Sequence, residues 1–263
     1  MRFRILYILL LQCSCLAIYS QTTNEGTEFW MSFMQHRNIG DNKMVVMITS
    51  TNNTSGTVSI PGLGFSTGFN VAANDVTLIT LPASAETVGS ERVQQNAIQV
   101  ISNDPVSVYI HQYGRVRSEA SIVLPTQSLS NDYYVLCYTG IDQDNDGASE
   151  FIVVGIEDET TVSILLSSDS KRNSKNERLN ITLQQGETYQ VRGRDIRSDF
   201  SDTQITGDKM LPFLRELPIR EFHKHVATEI IYLNKCIPST RLVIHMSRHQ
   251  LGLETLMYSG FLH

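Results

Sequence analysis

The sequence predicts an all-β fold of two tandem β-sandwich-like modules, the second incomplete, and three observations carry that prediction. Short apolar runs recur at intervals of about ten residues, most of them alternating with polar side chains and bounded by Gly, Asn, Asp or Pro. No window before residue 210 holds a sustained helical period. The runs of the first half also reappear, in the same order, in the second half.

The chain begins with a segment that stands outside the fold. Arg2 and Arg4 precede the apolar run Ile5–Ile18, and Ser20 offers a small side chain before a cleavage point, so residues 1–20 read as a signal peptide. The run is shorter than the roughly 20 residues of a spanning helix, so no transmembrane segment is expected once it is removed. A secreted or cell-surface, extracytoplasmic location follows. Cys13 and Cys15 fall inside the signal, which leaves Cys137 and Cys236 in the mature chain. Two cysteines in a secreted chain of this size point to an apolar core and not to a disulfide framework. The sequence leaves their pairing open. A net charge of −6 argues against nucleic acid as a partner.

The first β-module is expected over residues 26–138. Thr27–Phe33 reads as an aromatic-rich opening strand with Phe29, Met31 and Phe33 on one face and Trp30 on the other. Met44–Thr49, Thr57–Ile60, Phe69–Val71 and Val76–Leu81 follow, with turns at Pro61-Gly62 and Asn74-Asp75. Ile98–Ile101 and Val106–Ile110 alternate cleanly and are separated by Ser102-Asn103-Asp104-Pro105. That segment predicts a turn, because Asx side chains bond local backbone and Pro presets φ. Ala120–Leu124 and Tyr133–Tyr138 complete the module, with Asn131-Asp132 as a turn.

The pattern then restarts. Met44–Thr49 and Gly56–Ile60 resemble Phe151–Ile156 and Thr160–Ile164, while Phe69–Leu78 resembles Leu179–Tyr189. Ile98–Pro105 resembles Thr203–Lys209. The period, about 100–110 residues, is too long for a solenoid and fits two tandem modules. The second module is expected over residues 139–209, lacking its last strands. From Met210 the alternation ends, and the apolar strand that should follow Lys209 is not legible, so residues 210–263 are expected to be an atypical tail.

Candidate chemistry is sparse. Asp142-Gln143-Asp144-Asn145-Asp146-Gly147 has the alternating carboxylates and the Gly of a calcium loop's first half. The bidentate Glu needed at the twelfth position is replaced by Val153. A solvated acidic turn is therefore the main expectation, with Asp142, Asp144 and Asp146 as calcium ligands the alternative; no other cofactor is expected. Glu221, His223, His225 and Glu229 have metal-ligating side chains, but they lie in the atypical tail. No Gly-x-Ser-x-Gly, Cys–His pair or paired carboxylates on a rigid element is present, so the chain is not expected to be an enzyme. Arg192, Arg194 and Arg197 beside Asp195 and Asp199 read as a balanced solvated surface. Trp30, Tyr133 and Tyr134 read as core, with ligand anchoring the alternative.

Several segments, taken together, resemble the N-terminal domain of the IgGFc-binding protein family. They are Gly26-Thr-Glu-Phe-Trp, Val58-Ser-Ile-Pro-Gly-Leu-Gly-Phe, Ser102-Asn-Asp-Pro-Val-Ser-Val-Tyr, Ile122-Val-Leu-Pro-Thr, Glu150-Phe-Ile-Val-Val and Gln185-Gly-Glu-Thr-Tyr-Gln-Val. The resemblance covers residues 26–209. It implies a non-catalytic binding or adhesion module with an extracellular protein or glycan ligand. The alternatives are a β-sandwich hydrolase of extracellular polymers or a structural spacer in a larger surface protein. The resemblance also implies an apolar strand and a D-H-L-x-E-Q element after Lys209. Reading the codons from the third base of the His225 codon permits C-G-N-R-D-H-L-F-E-Q-M-Y-P-I, and Ile219–His225 permits S-R-I-P-Q-A. A single-base insertion or deletion near codon 209, giving a truncated product, is therefore the expected origin of the tail, with a divergent amphipathic helix over Phe213–Asn234, interrupted by Pro218, as the alternative.

Overall fold

A computed structural model describes residues 24–36, 39–114, 118–137, 139 and 148–216. The all-β expectation holds throughout these residues. The strands of the first half are β1 (Glu25–Met31), β2 (Lys43–Ser50), β3 (Thr54–Ile60), β4 (Phe65–Val71), β5 (Asp75–Thr80), β6 (Val93–Gln94), β7 (Ile98–Tyr113) and β8 (Ser118–Val123). Those of the second half are β9 (Ser130–Tyr134), β10 (Glu150–Val154), β11 (Thr160–Leu165), β12 (Arg178–Leu183), β13 (Thr188–Arg192), β14 (Gln204–Leu211) and β15 (Phe213–Glu216).

They form three antiparallel sheets. The largest runs β4-β3-β7-β2-β5, with β1 and β8 also paired to β7; the others run β15-β10-β13-β6 and β12-β11-β14-β9. The sheet built on β10 and β13 is the middle layer. Ile152, Val154 and Leu214 project from one of its faces into a core shared with β1, β2, β3 and β7. Phe151, Val153, Tyr189 and Val191 project from the other face into a second core with β11, β12 and β14. Every residue of β10 and β13 is buried. A strand covered on both sides needs apolar side chains at successive positions, and that is why Phe151-Ile-Val-Val does not alternate. Burying each such side chain stabilises the fold by about 1.5–3 kcal/mol relative to exposure.

The internal repeat is real at the level of strands. β9, β10, β11, β12 and β13 recur in the order and pairing of β1, β2, β3, β4 and β5. The single long β7 corresponds to β14 and β15 together, divided at Pro212. The strands are not segregated at residue 138, however: β9 lies in a sheet with β14, and β6 pairs with β13.

Three local expectations need correction. Ser102–Pro105 is not a turn, because β7 runs unbroken from Ile98 to Tyr113. Gly26 pairs with Val106 and Glu28 with Ile101, so these residues form a bulge opposite Thr27. A bulge leaves backbone groups out of the ladder, so it accommodates a Pro that cannot donate. Asp104 still acts through its side chain, accepting from Thr54 Oγ1 at 3.0 Å, so it clips the bulge to β3. Gly207–Met210 is the same device opposite Asn131, with Asp208 accepting from the Thr161 amide at 2.8 Å. Asn131-Asp132 also lies within a strand, and β9 starts earlier than the alternation suggested.

The third correction concerns the point where the fold stops. β14 continues past Lys209 to Leu211, and β15 pairs with β10 from Phe213 to Glu216. Leu211 and Leu214 are buried, one in each core. The sequence hid this strand because it is short and set off by Pro212, so it has no period-2 signature.

Candidate functional site

Two surfaces and one buried network merit description. The first surface is the outward face of the seven-stranded sheet. Val46, Ile48, Val108 and Ile110 point into the core, so the residues between them face out. Leu78 pairs with Met47, Met47 with Tyr109, and Tyr109 with Ile122, so one row crosses β5, β2, β7 and β8. Leu78 is 59% exposed and Tyr109 37%, a level at which these apolar groups contact solvent across adjacent strands. In the next row, His111 stacks on Tyr113 with ring centroids 4.7 Å apart and shares a 2.7 Å hydrogen bond with Ser118 Oγ. Burial lowers the His111 pKa from its ordinary value, so the ring is neutral at neutral pH.

The second surface is a cleft beside β15. Trp30, Leu124, Leu129, Tyr133, Pro212 and Phe213 line it. Trp30 is buried and donates its indole N–H to Glu28 Oε1 at 3.0 Å. Tyr133 donates its hydroxyl to the Leu211 carbonyl at 2.6 Å and stacks obliquely on Phe213. Trp30 is core as the sequence suggests, Tyr133 is half-buried, and Tyr134 is exposed.

The buried network ties loops of the two halves together. Glu91 accepts hydrogen bonds from Ser170 Oγ, from Asn173 Nδ2 at 2.6 Å, from the Arg172 amide at 2.9 Å and from Ser90 Oγ at 3.0 Å. Glu86 accepts from the amides of His36 and Gly40 and from Asn42 Nδ2. Arg192 is not part of a solvated surface, as the sequence suggested. It is buried and its Nε lies 2.7 Å from Glu150 Oε2 across the β10–β13 pair. Arg194 pairs with Asp169 and Arg197 with Asp195 in the open, as a balanced surface should. Hydrogen bonding from Arg197 lowers the Asp195 pKa. Each of these carboxylates has donors from its own fold, so the networks are structural and aim no group at a ligand. Sequence reasoning missed Glu91 because its partners lie some 80 residues away.

Asp142, Asp144 and Asp146, the calcium alternative, lie outside the described residues, as do Glu221, His223, His225, Glu229 and Cys236. Cys137 is buried, and its backbone N–H and C=O both bond Ser201 Oγ. No group of His, Cys, Asp and Glu among the described residues is arranged to hold a metal ion. No helix among them is long and apolar enough to cross a membrane.

The described residues thus form a layered all-β protein with an apolar row on the outward face of its largest sheet. Residues 119–227 match the family model described as IgGFc binding protein. The IgGFc-binding protein of Homo sapiens is 25% identical over 215 residues, a match that covers 78% of this chain and 4% of the relative. The chain thus spans a small fraction of that relative's length. No solved structure matches.

Proposed function

We propose that the chain is a secreted or surface-exposed, non-catalytic binding and adhesion module, with an extracellular protein or glycan as its ligand. Similarity to the IgGFc-binding protein carries this reading. A shared domain does not transfer a ligand, so the Fc region of IgG is the first ligand to test and not an assumed one. The row Leu78, Met47, Tyr109 and Ile122 is the face proposed to meet the ligand. It is uncharged and amphipathic at Tyr109, as protein and glycan contacts require. The test is a biosensor titration of the full chain against Fc and a panel of extracellular glycans. Binding should fall at least tenfold in the double variant Leu78→Glu, Tyr109→Glu with the circular dichroism spectrum retained. Absence of binding to every member of the panel, or binding indifferent to both substitutions, overturns the assignment.

We infer further that the sequence after β15 is read out of frame. The change of pattern near codon 209 and the permitted shifted reading support this, while the strand Phe213–Glu216 and a family match that runs in frame to residue 227 weigh against a change as early as that codon. Sequencing the coding DNA across codons 200–240 decides it: the shifted frame must spell R-D-H-L-F-E-Q.

A further inference from the structure

The junction between the two repeats is a template for a further one. The sheet of β10, β13 and β15 has one face on the core of its own repeat, through Phe151 and Val153. Its other face is turned to the first repeat, through Ile152, Val154 and Leu214. In the first repeat β2 and β7 hold the positions of β10 and β15. Val46 pairs with Ile110 as Val153 pairs with Phe213, each pair facing the core of its own repeat. Met47 and Tyr109 therefore stand where Val154 and Pro212 stand, and Val45 and His111 where Ile152 and Leu214 stand. Leu78 opposite Met47 is the counterpart of Thr188 opposite Val154. The outward row of the first repeat is thus its version of the face with which the second repeat docks. That face is buried in the second repeat, whereas Leu78 and Tyr109 are exposed.

The surface that receives the docked face is duplicated as well. Trp30 lies between Phe29 and Met31 and points the other way, into a cleft that it shares with Pro212, Phe213 and Leu214 of the second repeat. Trp30 pairs with Gln99, and Glu28 with Ile101. In the same register Tyr134 pairs with Gln204, and Asp132 with Thr206. A carboxylate, an aromatic ring and a glutamine therefore recur at the same three places. Trp30 is 2% exposed with the second repeat against it; its counterpart Tyr134 is 56% exposed, and Leu136 is exposed two residues further along.

We propose that the chain stacks head to tail on a second copy of itself, with the Leu78, Met47 and Tyr109 row of one copy docked on the Tyr134 surface of the next. The contact repeats between chains the junction already made within each chain. It names the partner of the row and rests on the reading of that row as the binding face. Tyr109 and His111 border Tyr134 of the neighbouring copy as Pro212 and Leu214 border Trp30. Both surfaces carry exposed aromatic and aliphatic side chains, the chemistry of an interface core. The two surfaces differ, so the contact is heterologous and builds rings or open chains of copies.

Sedimentation velocity of the purified full chain over a hundredfold range of concentration tests the stacking. The weight-average mass should rise with concentration past that of a dimer. Leu78→Glu and Tyr134→Glu should each weaken association at least tenfold with the circular dichroism spectrum kept; if Leu78→Glu loses that spectrum, Tyr109→Glu takes its place. An equimolar mixture of the row variant and Tyr134→Glu should recover dimers and nothing larger, because one intact row then meets one intact Tyr134 surface. A monomer at every concentration, association indifferent to either substitution, or a mixture that stays monomeric would each overturn the stacking. If the chain is monomeric and still binds Fc or a glycan through Leu78 and Tyr109, the stacking falls and the row keeps its role. If copies stack and no member of the ligand panel binds, the stacking stands and the external ligands fall.

Discussion

Glu91 shows how much a single residue can organise. Its backbone is held in the left-handed region at φ 55°, a conformation that costs a non-glycine residue of order 1 kcal/mol or more. The carboxylate gathers donors from Ser90 and from the Ser170–Asn173 loop, which offset its burial. Its charge acts on Tyr189 beside it: burial first, and then the Glu91 carboxylate, push the phenol pKa up to about 12. The sign of the linkage is fixed by that shift. Between pH 10 and about 12 the unfolded chain releases the Tyr189 proton and the folded chain keeps it, so stability falls as pH rises through this window. Urea titrations from pH 9.5 to 12 should show that slope, and Tyr189→Phe should flatten it. An identical slope in the variant would mean that other groups carry the effect. Little of this is legible in the sequence, where Glu91 and Arg192 look like ordinary surface charges. Only long-range pairing shows them buried.

At the scale of elements, alternation located nearly every strand with one wet face, from Met44–Thr49 to Thr160–Ile164. It failed where the period vanishes. β10 is apolar at successive positions, β15 is four residues long, and the Ser102–Pro105 bulge carries the composition of a turn. The close approach of strands leaves its own trace. A side chain added at Gly56 would place Cβ 2.1 Å from the Ile101 carbonyl oxygen and 2.5 Å from the Phe69 ring. Gly56 pairs with Ser102 at the bulge, so neither backbone can yield without breaking the β3–β7 ladder. Gly56→Ala should therefore cost about 1–3 kcal/mol. Chemical denaturation would measure it, and a variant as stable as the parent would show that the bulge absorbs the shift.

For the whole molecule, the layered arrangement decides whether the repeats behave as units. The order and offset of repeated segments were legible because each repeat keeps its own sequence pattern. Their fusion was not, because it depends on which face of β10 meets which core. Ile152, Val154 and Leu214 close the core of the first repeat, and β6 of the first repeat extends the sheet of the second. Unfolding either core exposes one face of the shared middle sheet and so destabilises the other. Calorimetry of the full chain should give one transition with equal van't Hoff and calorimetric enthalpies. Two resolved transitions would show that the middle sheet can serve one core without the other.

The doubly covered middle sheet also sets an order of events in time. A chain emerging vectorially from its N-terminus presents β1 to β8 long before Ile152, Val154 and Leu214 arrive to roof their core. Loop closure over such separations is slow relative to local pairing. The first repeat must therefore wait, with its inner face open, for the second to be delivered. The interval between delivery of the two repeats is the time at which the inner face of the first lies uncovered.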